Sequence, residues 1–207
     1  LPVVQALAFA HRQGVVHRDL KPDNVLVDGQ GRPYLTDFGL AHIAGEADER
    51  RITEDGALLG TPQYMAPEQA RGELDRIGPR TDVYGFGAIL YEALAGRPPF
   101  EFASLMVLLE RVALEPVVAP SLLRPDVPRD LEAICLRCLE KDPADRYAGA
   151  AEVAADLGRY LAGEPVAARR GGRAARWWRW GARRKRGLAV GAGLLLLVAA
   201  AVALVPW

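Results

Sequence analysis

HRDLKPDN, residues 17–24, sets His17, Arg18, Asp19, Lys21, Asp23 and Asn24 between two apolar runs, Val15-Val16 before it and Val25-Leu26-Val27 after it. Unpaired polar groups cost on the order of 1–3 kcal/mol each once buried. The cluster is therefore either an ordinary solvated turn or a site whose partners are a metal, a phosphate and a substrate hydroxyl.

The residues that follow, VLVDGQGRPYLTD (25–37), favour the second reading. VLV and YLT are short β-type runs, and Asp28-Gly29-Gln30-Gly31 supplies the turn chemistry between them. An antiparallel hairpin with this connection brings Asn24, entering its first strand, and Asp37, leaving its second, to the same open end. An amide oxygen and a carboxylate brought together there suit a hard cation such as Mg²⁺.

At 207 residues the chain can hold one ordinary globular domain and some additional sequence. Its formal net charge of zero hides an asymmetry. All 26 acidic residues lie at or before Glu164, where they face 17 lysines and arginines, and nine further basic residues fall between Arg169 and Arg186. A mildly acidic domain is thus followed by a basic segment. Cys135 and Cys138 form a C-x-x-C with no second ligand pair. At i and i+3, near Leu131, Ile134 and Leu139, they read as core thiols, and no disulfide framework is present.

Val4, Leu7 and Ala8 predict a helix in LPVVQALAFAHRQG (1–14), already under way at Leu1, with His11 as a helix-face residue. A chain that begins in this way is expected to continue upstream. Residues 39–60 are polar, glycine-dotted and aperiodic, as in a functional loop, and His42 reads as one of its solvated residues. TDVYGFGAILYEALAG (81–96) is apolar on nearly every face and predicts a buried central helix, capped by Thr81 and stopped by Gly96. Further helical patterns run over 103–114, 129–140 and 149–161, with proline-rich connections between them.

Three motifs in order, HRDLKPDN (17–24), TDFG (36–39) and APE (66–68), resemble the catalytic loop, metal loop and activation-segment end of protein kinases. TDVYGFG (81–87) and KDPADRY (141–147) extend the resemblance over residues 1–162. GTPQYMAPEQA (60–70) and LEAICLRCLEKDPADRY (131–147) are especially similar to bacterial serine/threonine kinases of the eukaryotic-like type.

The resemblance implies a protein kinase-like α+β fold, of which this chain carries the mainly α-helical large lobe (1–162) with its catalytic-loop hairpin. It makes Asp19 the catalytic base and Lys21 the residue that reaches the γ-phosphate. Asn24 and Asp37 would hold Mg²⁺ (or Mn²⁺), with Lys21 and Leu26 completing the ATP contacts, Leu26 beneath the adenine. Arg18 implies regulation by a phosphate on the activation loop, where Thr53 is the sole threonine between Gly39 and Gly60. Thr61 would bridge the base and the lysine, while His17 and Phe38 would pack behind the site. Asp82 would hold the catalytic loop, and Glu68 would pair with Arg146. Lys21-Pro22 favours Ser/Thr over Tyr in protein substrates. The resemblance also allows two copies to pair for autophosphorylation.

Nothing in the sequence resembles the small lobe's glycine-rich loop, its lysine or its helix glutamate. The expectation is a piece of a longer kinase, inactive alone. The alternative is a catalytically inactive single-lobe membrane scaffold or pseudokinase, which decay at Asp19, Lys21, Asn24 or Asp37 would mark; all four are intact.

LAVGAGLLLLVAAAVALV (188–205) is free of charge. At about 1.5 Å per residue it spans about 27 Å, close to the roughly 30 Å hydrocarbon core of a bilayer. It predicts a single transmembrane helix, and RRGGRAARWWRWGARRKR (169–186), within a basic linker over 163–187, fits its cytoplasmic flank. Trp177, Trp178 and Trp180 then read as interfacial anchors near anionic lipid, not as a nucleic-acid platform. This places the kinase domain in the cytoplasm, at the cell membrane.

Overall fold

The computed structural model describes residues 1–38, 62–101 and 104–170. The chain divides into two units, Leu1–Ala168 and Arg169–Trp207, and the candidate site lies in the first. Its elements are α1 (Pro2–Arg12), β1 (Val25–Val27), β2 (Pro33–Leu35), α2 (Pro67–Ala70), α3 (Pro79–Ala95), α4 (Leu105–Leu114), α5 (Arg129–Cys138), α6 (Ala150–Leu161) and α7 (Ala167–Arg170). The unit is mainly helical, with a small two-stranded sheet. Among the described residues no helix is long and apolar enough to cross a membrane, and the run 188–205 lies outside them.

The helix α3 passes through the centre and is apolar all round because it serves two cores. Val83 and Phe86 join Val4, Leu7, Ile134, Cys138, Val153 and Leu157 in one, while Tyr84, Ala88 and Tyr91 join Tyr64, Cys135 and Leu139 in the other. Its C-terminal stop is Gly96, at φ 79°, a left-handed conformation that glycine adopts without strain. Its start differs from the sequence reading. Pro79 opens the helix and Gly78 is the cap, so Thr81 lies in the first turn. A proline has no amide to satisfy and fits the first helical position. The Thr81 hydroxyl accepts from the Gly78 amide at 3.1 Å and donates to Glu68 at 2.8 Å. The later helices α4, α5 and α6 are one or two residues shorter at an end than their apolar patterns suggested.

Close packing explains the glycines of α3. A Cβ on Gly87 would lie 2.5 Å from Cys138 Cβ and 3.2 Å from Leu139 Cγ, so α5 can approach α3 only where the side chain is missing. Cys135 and Cys138 are both buried and free, and burial pushes the Cys138 thiol up to about 12. They are core thiols, as their helical spacing suggested.

A buried ion pair and a half-buried lysine tie the helices together. Glu68, in α2, receives both terminal nitrogens of Arg146, at 2.8 and 2.7 Å, as well as the Thr81 hydroxyl. Neither side chain is exposed. Burial alone would raise the Glu68 pKa, but Arg146 and Thr81 outweigh it and hold the carboxyl below its ordinary value. Removing one partner of such a pair typically costs about 3–5 kcal/mol. Lys141 is the second case. Its Nζ donates to the Val112 carbonyl at 2.6 Å and lies 4.4 Å from the Phe100 ring centroid, which clips α4 to the body. Burial, reinforced by Arg146, lowers its pKa to about 7.

Two measurements test this packing. Gly87→Ala should destabilise by about 1–3 kcal/mol through overpacking, whereas Gly158→Ala in α6, with nothing within 4 Å of the added carbon, should stabilise by about 0.5–1 kcal/mol. Equal effects in denaturant unfolding would refute the close approach of α3 and α5. For Lys141, the folded pKa lies below the free value of 10.5. The unfolded state therefore holds more protons between the two, and stability should rise with pH from about 7 to about 10. Lys141→Met should flatten that rise; an unchanged profile would remove Lys141 as its source.

Candidate active site

The site starts from the way α1 ends. Gly14, at φ 74°, closes the helix with its own amide on the His11 carbonyl and the Val15 amide on the Ala10 carbonyl. The chain then turns onto α3, where Asp82 receives it. One carboxylate oxygen of Asp82 accepts the His17 amide at 2.8 Å, and the other accepts the Arg18 amide at 2.7 Å. Arg18 is held at φ 69°, a left-handed conformation that costs a non-glycine residue on the order of 1–3 kcal/mol. Its carbonyl accepts Gln69 Nε2 at 2.7 Å, so α2 and α3 hold the two sides of the same residue.

His17 is buried, with its ring 4.9 Å from that of Phe38. Its Nε2 lies 2.8 Å from the Thr36 carbonyl, which can only accept, so Nε2 carries the proton. The ring thereby joins the catalytic-loop segment to the strand end that leads into Asp37. Nδ1 is left to accept the Asp19 amide, at 3.4 Å.

Asp19 itself is half-exposed, and Lys21 Nζ lies 3.1 Å from its carboxylate. Asn24 closes the loop from below: it is buried, and its Nδ2 donates to the Asp19 carbonyl at 2.8 Å. With the amide nitrogen used in this way, the amide oxygen remains as a ligand. The hairpin has the expected antiparallel register, Val25↔Leu35, Leu26↔Tyr34 and Val27↔Pro33. Its turn is held by Asp28, whose carboxylate accepts the Gln30 and Arg32 amides. At the open end the Asn24 carbonyl accepts the Thr36 amide at 3.0 Å. Asp37 is the next residue, at φ 58°, the other non-glycine position in left-handed geometry among the described residues. Leu26 presents an exposed apolar side chain in β1.

An asparagine and an aspartate at one hairpin end form a small oxygen donor set. Among the described residues no group of three or more His, Cys, Asp or Glu side chains could hold a metal ion. An amide oxygen and a carboxylate are ligand types that fit Mg²⁺, which keeps waters and substrate phosphates among its other ligands. Thr53 and Thr61 lie outside the described residues.

Three contacts were not read from the sequence. His11, read only as a helix-face residue, has its Nε2 2.8 Å from Asp82, with the side chain nearly buried and Nδ1 without a partner among the described residues. The signal was present, since Val4, Leu7, Ala8 and His11 share one helical stripe. Gln69 also caps α2, through Oε1 and the Ala66 amide at 3.0 Å. Tyr64, whose hydroxyl donates to Glu92 at 2.6 Å, joins the residues before α2 to α3; burial, then Glu92, raises its pKa.

Comparison with known proteins agrees with this architecture. The family model described as "Protein kinase domain" matches residues 1–156. A probable serine/threonine-protein kinase of Streptomyces coelicolor is 40% identical over 166 residues, covering 80% of this chain and 24% of its own. Serine/threonine-protein kinase PknB of Mycobacterium leprae is 41% identical over 161 residues, covering 78% and 25%. Probable serine/threonine-protein kinase PknB of Bifidobacterium longum is 39% identical over 169 residues, covering 81% and 24%. The chain thus spans about a quarter of the length of the curated relatives it matches. With the domain match covering most of its length, the chain belongs to the protein kinase family.

Proposed function

We propose that the protein carrying this chain is a serine/threonine kinase that transfers the γ-phosphate of ATP to protein hydroxyls. The observation that carries the reading is the Asp19–Lys21 pair, 3.1 Å apart, on a loop whose backbone is fixed by Asp82. Phosphoryl transfer asks a protein mainly for positioning and charge stabilisation. Asp19 accepts and orients the substrate hydroxyl proton, and its exposure leaves room for a protein substrate. Lys21 holds the transferred group's oxygens and offsets charge as the bond to the leaving phosphate loosens. Asn24 and Asp37 would hold Mg²⁺ at the hairpin end, and the ion supplies charge neutralisation to the phosphates. Leu26 offers its apolar surface to the adenine.

The basic stretch and the apolar run support a second part of the proposal. Residues 188–205 cross the membrane once, and Arg169–Arg186 stay on the cytoplasmic side against anionic lipid. Nine positive charges beside a span bias its orientation, and each gains about 1 kcal/mol near an anionic surface.

Asp19→Asn should lower turnover by about 10²–10⁴-fold while leaving nucleotide binding intact. Asp37→Ala should also weaken Mg²⁺-dependent nucleotide binding. Near-normal turnover in the Asp19→Asn protein would sink the assignment. For the tail, a reporter that is active only outside the cytoplasm, fused after Trp207, should report activity in cells. Activity solely from a cytoplasmic reporter at that position would show that the segment does not cross.

A further inference from the structure

The packed body does not stop at the end of α6. Gly163, at φ 71°, reverses the chain, with its own amide on the Tyr160 carbonyl and the Glu164 amide on the Arg159 carbonyl. The returning segment then sinks Val166 and Ala168 into the main core. Asp156 catches it there. This carboxylate is fully buried and accepts the Ala167 amide at 2.7 Å, the Ala168 amide at 2.9 Å, Arg159 Nη1 at 2.9 Å and the Tyr147 hydroxyl at 2.7 Å. Burial alone would raise its pKa; these donors, the Tyr147 hydroxyl foremost, hold it below the ordinary value.

The hydroxyl is the informative partner. Tyr147 is buried, stacked 4.0 Å from the Arg137 guanidinium, and directly follows Arg146. Arg146 in turn donates to Glu68 in α2 and to the Glu140, Lys141 and Arg80 carbonyls. Buried polar contacts therefore run from residues 167–168 through Asp156 to Tyr147, and the backbone carries on directly from Tyr147 to Arg146, which anchors α2. If the returning segment leaves, Asp156 loses two amide donors in a buried place and must be solvated. Solvation there withdraws the acceptor that holds Tyr147.

We propose that Asp156 is a relay that links the seating of residues 165–170 to the anchoring of α2 by Glu68 and Arg146. Because the basic stretch begins at Arg169, a lipid surface that engages it acts on the seated segment, and through it on the end of the activation segment. This regulatory consequence rests on the kinase and membrane reading above; the linkage itself does not.

Hydrogen exchange on the full chain, without any activity assay, tests the linkage. Ala167→Pro removes one amide from Asp156 and leaves the carboxylate in place, at a first helical position that tolerates proline. Asp156→Asn removes acceptor capacity directly. Both should speed exchange of residues 165–170 by about tenfold or more, and exchange of residues 66–73 should rise with it. In a Tyr147→Phe background, Ala167→Pro should still loosen 165–170 but no longer affect 66–73. Faster exchange of 165–170 with 66–73 unchanged in both variants would overturn the relay and leave Asp156 as a local cap. Unchanged exchange at 165–170 in Ala167→Pro would overturn the hold of Asp156 on the returning segment. Ala167→Pro alone decides both points if Asp156→Asn does not fold.

Discussion

The buried carboxylate of Asp82 is the constraint on which the arrangement depends. A charge with no exposed surface survives only if hydrogen bonds replace its water. Two of its donors are consecutive amides, those of His17 and Arg18, and the third is the His11 ring. Satisfying the carboxylate therefore dictates the path of the chain. Arg18 is bent into a left-handed conformation, and its strain is offset by the bonds that require it. Next to it, Leu20 lies so close to α3 that a Cβ on Gly85 would sit 2.8 Å from Leu20 Cβ. The loop is laid on the helix at two points, and Asp19 is carried between them.

The first turn of α3 does this twice. Asp82 holds the segment at His17 and Arg18, while its neighbour Thr81 donates to Glu68 and so reaches α2. α2 closes the circuit, since Gln69, beside Glu68, donates to the Arg18 carbonyl. Two segments that are about fifty residues apart in sequence thus share one helical turn as their common support. The Arg146 anchor and the grip on the Arg18 carbonyl sit on consecutive residues of α2, Glu68 and Gln69.

Much of this is legible in the sequence. The hairpin, its turn chemistry and the nearness of Asn24 to the strand end before Asp37 follow from short β-type runs and the placement of Asp28, Gly29 and Gly31 between them. The central helix follows from an apolar face all round, and the core cysteines from their spacing. What escapes is equally consistent. Thr81 looks like a cap because threonine before an apolar run usually is one, but Pro79 starts the helix a residue pair earlier. His11 reads as a plain helix-face residue because its partner stands 71 positions away. Asp156 sits in a helix whose apolar stripe hides it, and two of its donors come from residues that return only after a reversal at Gly163. Long-range polar pairing leaves no local period, so only groups that also occupy an apolar stripe, as His11 does, carry a readable sign.

The division of exposure within the site is its last constraint. Asp19 is half-exposed and Lys21 mostly covered, with side-chain accessibilities of 50% and 18%. The groups that aim them, His17, Asn24 and Asp82, are all buried. The phosphoryl transfer to a protein proposed above needs its carboxylate at the surface, where a side chain alone would wander among rotamers. Holding the backbone on both sides of it, by the Arg18 amide on Asp82 and the Asp19 carbonyl on Asn24, removes the freedom that matters and leaves access. The same logic explains why the buried groups are polar. An apolar loop could be packed as tightly, but only directional bonds fix the orientation of a peptide plane, and it is that plane which sets where Asp19 points.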